Sequence, residues 1–234
     1  MNIETRRKLS KNNRIISDLL QENEKLLRQE GYNPPCRNYV LPSEERIHFP
    51  SGYIRTAEEL KAKYHLSDIF PNKTACKNVT YALETTDLMN YILNRINIWG
   101  IVEINFYKLA LVQLVSIIEA LILEAANNIC CNPSNCGKSS TCKKHFNKRE
   151  REYVKAALDK LVLIGGISLE AKTVQQIKDV IELRNRIHIR LASGSELEQK
   201  DFNLQVYNNT ILILQTIDKE IYQNSIPLYG CNSD

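Results

Sequence analysis

Glycine and proline are scarce in this chain. Its 234 residues hold 8 Gly and 7 Pro, and five of the prolines lie before residue 72. Gly loosens a helix through backbone freedom and Pro breaks it through a missing N–H and a steric clash. The long stretch that both leave nearly untouched therefore predicts helices. No strand-period segment stands out, and no internal repeat is evident. No run of about 18–20 uncharged residues exists either. The most apolar segment, Ile98 to Leu123, is interrupted by Glu103, Lys108, Gln113 and Glu119. The opening MNIETRRKLSKNN carries charge but no apolar centre, so it is not patterned as a secretory signal. The expectation is a cytoplasmic protein without membrane contact.

Chemical motifs are missing as well. There is no Gly-rich phosphate loop, no evident carboxylate pair at metal-binding spacing, and no forced Ser/His/Asp assignment. Charge is only mildly biased, with 31 Lys+Arg against 27 Asp+Glu and a formal net of +4, which is compatible with a polyanionic partner but does not demand one. Apolar residues make up 43% and charged residues 25%, a globular rather than disordered balance.

What is present reads as a succession of helices. Residues 5–30 form a polar amphipathic pattern around Ile16, Leu19, Leu20, Leu26 and Leu27, with Gly31 as the stop. An extended connector follows, with four prolines between Pro34 and Pro50. A short helix then starts at Thr56, with Glu59 completing a capping box, and its charged tail leads to a turn region around FPNKTACKN. From about Thr85 to Asn128 the chain is long and apolar, either one helix or two abutting helices with Gly100 as the break. Asn105, Lys108, Gln113, Ser116, Glu119, Glu124 and Asn127 line one stripe of it, the pattern of a central bundle helix.

A second helix, KREREYVKAALDKLVLIG, closes at Gly165–Gly166, and a third opens at Ser168 or Thr173 and runs to near Gly194. A fourth follows Ser195. The expected fold is all-α: an up-down-up-down four-helix bundle with an N-terminal helical and irregular extension. Residues 1–85 would be the arm, and 86–228 the bundle with a Cys-rich insertion at 130–147.

Within the third helix, IELRNRIHIR sets polar groups on a face patterned for burial. At about 100° per residue, His188 falls only about 40° from Arg184, and Ile177, Val180, Ile181, Ile187 and Leu191 flank the two. Asn185 sits at the border of this face, while Arg186 and Arg190 point away. Desolvating an unpaired guanidinium costs several kcal/mol. Either a buried ion-pair network occupies this face, for instance with Glu119 across the bundle, or the face is a cleft or an inter-subunit seam. The residue types suit phosphoryl chemistry. A guanidinium stabilises a pentacoordinate phosphorane, and an imidazole can take a proton from a ribose 2′-OH or return one to the leaving 5′-oxygen.

The LRNRIH stretch at 183–188 resembles the signature of the HEPN domains, and LVQLVSIIEALILEA at 111–125 is similar to the first long helix of that family. The resemblance covers roughly residues 87–226. It implies a homodimer whose Arg/His faces meet across a cleft. It also implies a metal-independent endoribonuclease activity leaving a 2′,3′-cyclic phosphate, in toxin–antitoxin, phage-defence or RNA-processing settings, where an antitoxin or defence protein would be the partner. Carried over, Arg184 would clamp the transition state, Asn185 would orient it, His188 would be the general acid/base, and Glu119 would be the supporting acid. The Arg-to-His spacing here is shorter than the family's usual pattern. Members with degraded motifs are often non-catalytic binding modules.

Seven cysteines occur, four of them between Cys130 and Cys142. Cys131, Cys136, Cys142 and His145, with Cys130 as an alternate, suit a tetrahedral structural zinc site. A plain exposed loop and a disulfide or redox pair are the alternatives. No cofactor is expected for catalysis. Lys138, Lys143, Lys144, Lys148, Arg149 and Arg151 surround this segment as a basic lobe that could meet RNA phosphates or simply face solvent.

Overall fold

The computed structural model describes residues 1–31, 46–48, 52–129, 146–187 and 201–222, and all its regular structure is helical. Among the described residues there are nine helices: α1 (Ile3–Gln29), α2 (Ala57–Tyr64), α3 (Leu66–Ile69), α4 (Lys73–Arg95), α5 (Gly100–Ile129), α6 (Lys148–Glu152), α7 (Val154–Leu163), α8 (Ala171–Arg186) and α9 (Leu204–Tyr222). They divide between two compact units, residues 1–50 and 51–234.

The first unit contains α1. Asn2 caps it, its side-chain oxygen accepting from the Thr5 N–H at 2.7 Å. Every residue of α1 is exposed except the half-buried Leu27. Most of the expected connector that follows lies outside the described residues.

The second unit is built on α5. Tyr107, Ala110, Leu111, Leu114, Val115, Ile117, Ile118, Leu121, Ile122, Ala125 and Ala126 are all buried, and at about 100° per residue they cover about half of its circumference. α4, α7, α8 and α9 all pack on it, and α2 and α3 pack on α4. The expected polar stripe is where the cover stops, since Asn105, Lys108, Gln113, Ser116, Glu119, Glu124 and Asn127 are half-buried or exposed. By length and composition α5 could also cross a membrane, but 56% of its most apolar window is buried inside the protein, as in a core helix.

Several local expectations meet the structure directly. Thr56 and Glu59 form the capping box of α2, with the Thr56 N–H donating to Glu59 at 2.7 Å and the Glu59 N–H to Thr56 Oγ1 at 3.2 Å. The apolar stretch breaks at 96–99, and Gly100 opens α5 at φ +62°, where an L side chain would be strained. α7 closes at Gly165, φ +67°, with the Gly166 N–H bonded to the Leu161 carbonyl at 2.8 Å.

Other boundaries move. The FPNKTACKN segment is a turn only as far as Asn72, whose side chain accepts from the Thr74 and Ala75 N–H groups at 2.9 and 3.2 Å and so starts α4. The boundary expected between 85 and 86 thus falls inside α4. The second expected helix is interrupted at Tyr153, whose backbone is extended (φ −112°, ψ 110°), separating α6 from α7. The third starts at Ala171 rather than at Ser168 or Thr173 and ends at Arg186, short of Gly194. Its cap, Glu170, makes no side-chain capping bond. The expected fourth start at Ser195 lies outside the described residues, and α9 begins at Leu204.

Candidate functional site

α8 presents Ile177, Val180, Ile181 and Leu183 to the core, and Arg184 follows on its last turn. Across from it, the polar stripe of α5 offers Glu119. The Arg184 Nη2 donates to Glu119 Oε1, joining two helices whose paired residues are 65 apart in sequence. Both side chains are largely but not wholly covered, at 24% exposed for Arg184 and 17% for Glu119. The ion pair with Glu119 expected as one alternative for Arg184 is thus present. Burial raises the Glu119 carboxyl above its usual range, and the attraction of Arg184 offsets this only in part. The Nε of Arg184 is buried with no hydrogen-bond partner among the described residues, an uncompensated donor beside the pair.

Asn185 is half-buried and Arg186 exposed, as the wheel places them. His188 lies outside the described residues. α8 ends at Arg186, with Ile187 as its C-cap. Cys130, Cys131, Cys136, Cys142 and His145 also lie outside the described residues. Among those described, no group of three or more His, Cys, Asp or Glu could hold a metal ion.

A second charged pair escaped the sequence reading. Asp87, 1% exposed, lies on the buried face of α4 with Val79, Thr80, Leu83 and Thr86. Arg55 meets it as a fork: Nε to Oδ2 at 2.8 Å and Nη2 to Oδ1 at 2.7 Å, with the Arg55 backbone N–H to Oδ2 at 3.1 Å. The same guanidinium reaches the Tyr64 hydroxyl and lies 5.3 Å from that ring's centre. Burial works against the charge on Arg55, but the hydrogen bonds and the attraction of Asp87 outweigh it, so its pKa rises. The available signal was positional, since Asp87 follows Leu83 by four residues and Val79 by eight, the spacing of an apolar face.

Beside this pair is an open cleft of about 560 Å³, lined by Tyr53, Asn90, Tyr91, Asn94, Arg95 and Tyr207 among others. The Tyr53 and Tyr91 rings meet edge to face at 4.8 Å, and the Tyr207 hydroxyl lies 3.4 Å from Asn90 Oδ1. Burial and the neighbouring Tyr107 and Asp87 push the Tyr207 phenol upward, so it stays protonated and able to donate. Neither Arg184 nor Glu119 lines this cleft. Compared with known proteins, the chain matches no family model, no curated protein and no solved structure.

Proposed function

We propose that the chain is a cytoplasmic, RNA-acting protein of the metal-independent endoribonuclease type, HEPN-like in its bundle, working as a homodimer in a defence or toxin–antitoxin setting. The observation that carries this reading is the Arg184–Glu119 pair. One guanidinium nitrogen is held by a carboxylate on the facing helix, while the side chain keeps a quarter of its surface open. An arginine fixed in this way is preorganised to receive phosphate oxygens, because its orientation is set before the ligand arrives. In this reading α5, α7, α8 and α9 are the four bundle helices.

The chemistry is an in-line attack of a ribose 2′-OH on the adjacent phosphorus. The P–O5′ bond breaks, and a 2′,3′-cyclic phosphate and a 5′-OH remain. His188 takes the 2′-OH proton and an imidazolium protonates the leaving 5′-oxygen. Arg184 stabilises the charge on the equatorial oxygens and Asn185 orients the phosphate. The spacing of Cys131, Cys136, Cys142 and His145 supports a structural zinc that takes no part in this chemistry, which metal analysis of the purified protein would detect.

The same pair also supports a second reading, because the guanidinium already has its partner within the chain. The protein would then be a non-catalytic RNA-binding or protein-interaction module in which Arg184 ties α8 to α5. RNA cleavage assays in EDTA on the wild type, Arg184→Ala and His188→Ala separate the two. In the first reading His188→Ala abolishes cleavage while the protein stays folded. In the second no cleavage occurs, and Arg184→Ala lowers thermal stability.

A further inference from the structure

The exposed helix α1 carries a regularity finer than any repeat of whole elements. Leu9-x-x-Asn12-x-Arg14-Ile15-Ile16 recurs eleven residues later as Leu20-x-x-Asn23-x-Lys25-Leu26-Leu27. Eleven residues are almost three whole turns, so both copies fall on one face of a nearly straight helix. On the wheel Asn12 and Asn23 stand at the centre of the stripe, with Leu9, Ile15, Ile16, Leu19, Leu20, Leu26 and Leu27 on either side within about 150° of arc. Of these, Leu9, Ile15, Ile16, Leu19, Leu20 and Leu26 are 42% to 55% exposed. A polar helix with this much aliphatic surface in water is built to be covered.

The charges say by what. Residues 1–15 hold five Lys/Arg against Glu4, a net +4, whereas residues 16–30 hold four Asp/Glu against Lys25 and Arg28, a net −2. A parallel partner of the same sequence would set the basic halves side by side. An antiparallel one sets each basic half against an acidic half, within the distance over which such charges act. The same arrangement pairs the seam. About the midpoint of α1, Asn12 meets the partner's Asn23, Leu9 meets the partner's Leu26 and Ile16 meets the partner's Leu19. Every polar seam residue then faces a polar one, the device by which a buried Asn fixes register and orientation.

We propose that α1 is a self-association element: it pairs with α1 of a second copy of this chain, antiparallel, along the Leu9/Asn12/Ile16–Leu20/Asn23/Leu27 stripe. This does not depend on the RNA-acting reading.

Sedimentation equilibrium on the full chain at low ionic strength tests it with five proteins. The wild type should sediment as a multiple of the 27.0 kDa chain. Ile16→Glu/Leu20→Glu should halve that mass, whereas Gln21→Glu, on the opposite side of the wheel, should leave it unchanged. Lys8→Glu/Lys11→Glu/Arg14→Glu makes both halves acidic and should also halve it, with recovery in high salt. Adding Glu22→Lys/Glu24→Lys restores opposite signs in reversed order and should restore the wild-type mass. A wild-type monomer, an Ile16→Glu/Leu20→Glu variant of wild-type mass, or equal masses for the two charge variants would each overturn the proposal. The substituted side chains are exposed, so the fold itself should not suffer, and circular dichroism checks that directly.

Discussion

Asp87 and Glu119 are both carboxylates withdrawn from water, and they differ in how completely they are compensated. Asp87 receives two guanidinium bonds and a backbone N–H from Arg55. Truncating it leaves a largely buried guanidinium without its counter-charge. Asp87→Ala should therefore cost about 3–5 kcal/mol of folding stability, measured by urea denaturation, and a cost below about 1 kcal/mol would show the pair to be a surface-like contact. Glu119 has a single bond from Arg184 in a partly open site, and burial wins, raising its pKa. Between the unfolded carboxylate value of about 4.3 and that raised value, the folded chain binds more protons than the unfolded one. Stability from this group is full below the unfolded pKa and is lost as pH rises through the folded value. Glu119→Gln should remove that part of the pH dependence, so the wild-type-minus-variant stability difference should fall as pH rises above the unfolded carboxylate value of about 4.3. A difference that rises with pH would mean the Arg184 attraction dominates instead. Glu124, also raised by burial, contributes to both proteins and cancels.

Among the elements, the break between α4 and α5 rests on one backbone position. Gly100 sits at φ +62°, and a Cβ added there meets nothing within 4 Å. Gly100→Ala should then cost only the left-handed strain, about 1 kcal/mol, visible as a small fall in the thermal midpoint. A much larger loss would mean the two helices depend on that turn for their docking. This break, the capping box at Thr56 and Glu59, and the close at Gly165 were legible in sequence because each is decided by residues within a few positions of one another. The start of α4 was also encoded locally, in the Asn72 side chain, but a proline and several polar residues nearby give the same segment the look of a turn. The extended backbone at Tyr153 and the end of α8 at Arg186 had no such local mark, since the helical period continues through both. Burial of Arg184 against Glu119 followed from matching one polar stripe to another across helices. Asp87 obeys the same rule, and its partner Arg55 lies 32 residues away in a segment with no periodicity to place it.

At the scale of the whole molecule, one apolar helix organises the second unit. α5 is covered by α4, α7, α8 and α9, and where its cover stops, the polar stripe carries Glu119 to Arg184. Core and candidate site are thus two sides of one helix, and the site's arginine comes from the last turn of a helix packed upon it. The most direct test of the RNA-acting account is incubation of the purified full chain, in EDTA, with a mixture of single-stranded and structured RNA, alongside Arg184→Ala and His188→Ala proteins shown to be folded. Cleavage by the wild type alone, with 2′,3′-cyclic phosphate ends, is the predicted result. Intact RNA with the wild type, or cleavage that persists in both variants, would contradict it.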